Sequence, residues 1–139
     1  MFVLDTNVLS ELRKVHAGRA DTRVSAWAGN VDSADLFLSA ITIYESQVGA
    51  LLAERKDPAQ GAIFRAWLDG YVLPAFKGRI LPVDTAVARR SAQLSVPDPR
   101  PFHDGLIAAT ALVHGMIVVT RNVADFVPTG VRLLNPWEP

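Results

Sequence analysis

Four carboxylates, Asp5, Glu45, Asp104 and Asp125, each stand at the start or just past the end of an element that the apolar pattern predicts. Like charges held close together repel, and the cost falls only when a group takes up a proton or a cation binds. Mg²⁺ is a hard ion that takes carboxylate oxygens and keeps several waters. Two such ions about 3.5–4 Å apart stabilise both the attacking and the leaving oxygen when a phosphodiester is cut. Acids gathered by the fold would therefore point to metal-assisted hydrolysis of a phosphate ester. Each acid also has a plainer reading. Asp5 can cap the helix that follows it. Glu45 lies three residues after Thr42, so Thr42-Ile43-Tyr44-Glu45 reads as a capping box. Asp104 suits a helix dipole as a first-turn acid, and Asp125 suits a turn. Taken singly, none of the four decides the matter.

The elements that must position them alternate between strand and helix. Phe2-Val3-Leu4 reads as a buried strand, followed by a helix over Val8–Lys14 and a second over 21–29. Leu36–Ser39 is a strand, and Thr42–Lys56 a helix that Glu45 opens, with Pro58 as its stop. Ile63, Trp67, Leu68 and Tyr71 form a helical stripe within 59–73. Arg79–Val83 reads as a strand near the sheet edge because of Pro82. Asp84 caps a helix to about Leu94, and 97–101 is a rigid loop. His103–His114 is an apolar helix stopped by Gly115. Residues 117–120 and 131–134 are the last strands. This order predicts an α/β fold, a three-layer α/β/α sandwich around a mostly parallel sheet, in a single domain spanning 1–139. In such sheets ligands sit beyond the carboxyl ends of the strands. Asp5 and the segment Arg121, Asn122 and Asp125 belong to that rim.

The 139 residues have no cysteine, which removes disulfides, thiolate zinc sites and thiol nucleophiles and agrees with a reducing cytoplasm. No apolar run is long enough to cross a bilayer, and the N-terminus lacks the marks of a secretory signal. A cytoplasmic location without membrane attachment is expected. Lysine plus arginine and aspartate plus glutamate each number 14, giving zero formal charge. Binding of nucleic acid through bulk positive charge is excluded, so any such contact must be local. Arginine predominates among the cations, and its planar fork suits phosphate.

The segments FVLDTNVLSEL at the start, SAITIYE at 39–45, FHDGLIAATALVHG at 102–115, VVTRNVADF at 118–126 and GVRLLNPW at 130–137 occur in one order. In that order and spacing the chain resembles the PIN-domain nucleases, and among them the VapC-type toxins of bacterial toxin–antitoxin pairs, in the FitB-like subgroup. The resemblance implies a metal-dependent endoribonuclease in which Asp5, Glu45, Asp104 and Asp125 bind Mg²⁺ or Mn²⁺. Relatives often carry an acid where this chain has Asn122, so the fourth ligand is shared between Asp125 and Asn122. Thr6, Asn7 and Thr120 are expected to orient the carboxylates, and Arg121 to hold a phosphate. The implied partners are an RNA substrate, a second copy in a homodimer and a cognate antitoxin that covers the groove and completes a hetero-oligomer. The apolar stripe around Trp67 serves either that partner or the core.

Other readings fit less well. A phosphatase of the haloacid dehalogenase kind needs an acid two residues after the first, where Asn7 stands. A signalling receiver needs paired acids after its first strand and a late lysine. A catalytically inactive PIN fold serving as a binding module would not need the four acids. His103 and His114 are not expected to act as general bases, and Trp27, Trp67 and Trp137 are expected in the core or an interface.

Overall fold

The apolar runs predicted as strands form Phe2–Leu4 (β1), Leu36–Ser39 (β2), Ile80–Leu81 (β3), Ile117–Val119 (β4) and Leu133–Leu134 (β5). In the computed structural model, which describes residues 1–15 and 17–138, they make one sheet in the order β3-β2-β1-β4-β5. Every pairing is parallel, with Val3 opposite both Phe37 and Val118, and Val118 opposite Leu133. β3 is an edge strand, as Pro82 predicts, because a proline has no N–H to give to a further neighbour.

Successive residues of a strand face opposite ways, and this alternation builds the three layers. Leu4, Leu38 and Val119 pack with Val8 and Leu9 of α1 (Thr6–Arg13), Val24 of α2 (Thr22–Asn30), and Leu68, Val72, Phe76 and Trp137. Val3 and Val118 point the other way, onto Ile107, Ala108 and Ala111 of α7 (Phe102–His114). Three alanines among the buried residues of α7 let it lie close to the sheet. Val87 of α6 (Thr85–Leu94) packs outside it, against Leu106 and Ala109. Gly115 closes α7 in the left-handed region, at φ 67°, where a Cβ would be strained.

α3 (Ala40–Lys56) starts directly from β2 and crosses α4 (Pro58–Trp67) very closely. A Cβ on Gly61 would lie 2.2 Å from the Cα of Glu54, so only glycine fits there. Arg65 and Glu54 pair across the same crossing. Pro58 lies just past the end of α3, as expected of a helix stop, and is at the same time the first residue of α4, capped by Asp57. The stripe at 59–73 divides. α4 passes into a wider π turn at Leu68–Val72 and then α5 (Leu73–Ala75). Leu68 is fully buried and Trp67 leans on the core, while Ile63 and Tyr71 are exposed. A further short helix, α8 (Val123–Phe126), follows β4 where the sequence suggested only a turn. No helix among the described residues is long and apolar enough to cross a membrane.

Candidate active site

The strand order reverses around β1, whose neighbours β2 and β4 lie on either side. A crevice forms at such a point beyond the carboxyl ends of the strands. Asp5 is the first residue past β1, and its N–H still donates to Val119 O at 2.9 Å, so the ladder itself fixes its Cα. Its carboxylate caps α1 by accepting from Thr6 N at 2.8 Å. Capping does not use up the group. The other oxygen accepts from Thr120 Oγ1 at 2.8 Å and from Asn7 Nδ2 at 3.3 Å. Asn7 Nδ2 also lies 3.5 Å from Thr120 Oγ1, and Asn7 Oδ1 accepts from Arg121 N at 3.4 Å. One small network therefore ties the start of α1 to the chain leaving β4.

Glu45 does not open its helix. The N-cap of α3 is Ser39, whose Oγ accepts from Ile41 N at 3.1 Å, and α3 begins two residues before the predicted start. Thr42 is fully buried inside the helix, and its Oγ1 has no hydrogen-bond partner among the described residues, so the capping box is not formed. The extra residues place Glu45 in the second turn, reaching across to other elements. Its Oε1 accepts from Thr6 Oγ1 at 2.7 Å, and its Oε2 lies 3.3 Å from His103 Nδ1. The sequence gives His103 no role as a general base; in the structure its ring stands on a candidate ligand. Its place next to Asp104 in the first turn of α7 was the available signal.

Asp104 lies in that first turn, half-buried, and Asp125 is exposed on α8. The electrostatics join all four acids. The Asp104 carboxyl is pushed up to about 6, first by burial and then by the negative charges of Asp5, Asp125 and Glu45, with His103 opposing. Burial also raises the Asp5 carboxyl. The Thr120 hydroxyl and the Thr6 N–H pull it back, and Glu45 and Asp125 push it up.

Of the remaining candidates, Asn122 receives no role from its side chain as a cap, and its backbone N–H donates to Thr120 Oγ1 at 3.0 Å. The guanidinium of Arg121 lies over the Trp137 ring, 5.2 Å from its centroid, so an exposed cation is braced at the rim by a buried ring. Trp137 belongs to the core, and Trp27 and Trp67 pack against it, as expected.

Oxygen-only carboxylates suit a hard divalent cation, and their mutual repulsion is what such an ion would cancel. Among the described residues no three acidic or histidine groups stand close enough together to hold a metal ion. An ion that keeps several waters and takes only one or two carboxylates directly, as Mg²⁺ does, would not need such a group.

A sequence profile of the PIN domain matches residues 2–126. The VapC ribonuclease Y4jK of Sinorhizobium fredii is 42% identical over 144 residues, covering 100% of this chain and 99% of the relative. Toxin FitB of Neisseria gonorrhoeae is 38% identical over 143 residues, covering 99% of each. The crystal structure of FitAcB from Neisseria gonorrhoeae matches the whole of both chains with a TM-score of 0.89 at 35% identity. A toxin–antitoxin complex from Klebsiella pneumoniae has a chain of the same fold, with a TM-score of 0.68 at 25% identity and full coverage of both chains.

Proposed function

Because this chain belongs to the PIN domain family, we propose that it is an endoribonuclease, the toxin of a type II toxin–antitoxin pair. The observation that carries the reading is the contact network at one sheet rim, in which Thr120 and Asn7 hold Asp5, and Thr6 and His103 hold Glu45. Asp5, Glu45, Asp104 and Asp125 would hold Mg²⁺ or Mn²⁺. When bound, the ion supplies Lewis acidity for hydrolysis of an RNA phosphodiester. The chain's own residues do the positioning. Thr120 and Asn7 hold the Asp5 carboxylate, and Thr6 and His103 hold Glu45 between α1 and α7. Arg121, braced on Trp137, presents its fork to a phosphate of the substrate. Asp125 supplies the fourth negative charge, and Asn122 serves through its backbone.

The relatives that carry the words toxin and toxin–antitoxin complex support a protein partner for this chain. A cognate antitoxin that covers the groove would silence the enzyme, and a homodimer is the expected resting form. A cleft lined by Leu9, Leu12, Trp67 and Phe76, with Arg13 and Arg79 among them, suits a segment of such a partner.

The test is cleavage of labelled RNA by the purified protein with Mg²⁺, with Mn²⁺ and with chelator, beside Asp5→Asn and Asp104→Asn. Cleavage should require the metal and fall at least 100-fold in either variant, the order expected when a charge-stabilising group is removed. Activity that survives chelation, or that both variants retain, would sink the metallonuclease reading.

A further inference from the structure

Beside the carboxylates three rings share one patch of surface. Tyr44 of α3 is 56% exposed, and Phe102, the first residue of α7, is 74% exposed. His103 lies between them, its ring centroid 5.5 Å from that of Tyr44 and 6.0 Å from that of Phe102. Large aromatic side chains left on a surface are informative, because burying them is otherwise favourable. The planes of Tyr44 and His103 meet at 72° and those of Phe102 and His103 at 55°, so neither contact is a face-to-face stack. An edge-to-face contact covers one face of one ring only, and the exposure of Tyr44 and Phe102 leaves ring surface for a flat guest. The patch is also fixed to the site, since the central His103 is held by Glu45.

We propose that Tyr44 and Phe102, flanking His103, form a stacking platform for an unpaired base of the RNA beside the carboxylate cluster. The proposal rests on the nuclease reading and names the form of substrate it takes. Every nucleobase has a π-face, so aromatic rings hold single strands with little regard to sequence. A base inside a duplex has both faces covered by its neighbours, so only an unstacked one can enter. The position of the patch, joined to Glu45 through His103, puts it within reach of a strand held at the carboxylates. The exposed surface is aromatic where it meets the acids and becomes aliphatic further along α3, at Val48, Leu51 and Leu52. The chain also has no net positive charge, so stacking would provide affinity that phosphate contacts cannot.

The experiment compares Tyr44→Ala, Phe102→Ala and Tyr44→Phe, each in an Asp104→Asn background that blocks cleavage. Fluorescence anisotropy then reads the binding of an unstructured RNA and of a blunt RNA duplex with Mg²⁺ present. Each alanine variant should weaken single-strand binding about tenfold, while Tyr44→Phe stays near the parent and duplex binding does not change. In the active background the alanine variants should raise KM and leave kcat within about twofold, since they remove binding common to ground and transition states. Sedimentation should be unchanged. Alanine variants that bind single strands as the parent does would overturn the platform. So would a loss of dimer in them, which would make the patch an interface between copies. Wild-type protein that cuts no RNA with metal overturns the nuclease reading itself, whereas wild-type cleavage with unaffected variants overturns only the platform.

Discussion

Asp104 has two protonation states that the fold treats very differently. Its carboxyl ordinarily titrates at 3.8 and in the folded chain at about 6. Below the ordinary value it is neutral whether folded or unfolded, and no stability is lost. As the pH rises through 6 the folded chain must carry a charge that burial and three acids oppose, so stability falls and stays lower. Asp104→Asn should therefore stabilise the metal-free protein by about 1 kcal/mol near pH 7.5, a figure already discounted for solvent screening. Urea midpoints with chelator would show the gain, which should vanish near pH 4. Adding Mg²⁺ should reverse the order, because an ion that binds only the folded wild type stabilises it by mass action. A variant no more stable than wild type at neutral pH would contradict the coupling. Asp5 can be both a cap and a candidate ligand because its oxygens divide the work: the Thr6 N–H occupies one, and the hydroxyl of Thr120 and the amide of Asn7 hold the other.

At the scale of elements, the start of α3 decides what Glu45 can do. A helix opened at Thr42 would fold Glu45 back onto its own N-terminus. The helix opens instead at Ser39, so Glu45 projects toward Thr6 of α1 and His103 of α7. The motif was legible in the sequence and its role was not, because Ser39 and Thr42 are both acceptable caps. Burial of the strand end chose between them. Ser39→Ala should cost about 1 kcal/mol as a lost cap. Thr42→Val should be neutral or stabilising, since it removes a buried hydroxyl without a partner while keeping the shape. Equilibrium denaturation of the two variants checks both; a Thr42→Val loss equal to that of Ser39→Ala would restore the capping box.

At the scale of the whole molecule, zero net charge limits how RNA can be held. For single strands the logarithm of the affinity falls with the logarithm of salt concentration by about 0.7 per phosphate neutralised. One to three local cations, Arg121 among them, would give a slope no steeper than about −2. Anisotropy titrations across a KCl series measure it, and a slope near −5 would require a basic surface that the composition does not provide. The cleft between α1, α2 and the π turn carries Arg13 and Arg79 among its apolar side chains, so binding of an acidic antitoxin segment there should weaken as salt is raised.

Much of this protein follows from local sequence. The strand runs, the sheet's parallel character, the edge position of β3 and the cap at Asp84 all rest on short-range rules of periodicity and backbone chemistry. Asp5, Asp104 and Asp125 were recognisable because each lies beside the end of an element or near its start, Glu45 because it belongs to SAITIYE, and the ordered segments around them are specific to a family. Tertiary structure decided the rest. Asp5 and Thr120 are 115 residues apart, and Glu45 and His103 are 58 apart. No periodicity reports which side chain meets which across such distances. That depends on the register of β1 against β4 and on the residue at which α3 leaves β2. The four carboxylates named by residue type thus became one coupled group, with His103 and its neighbouring rings at its margin, only through packing.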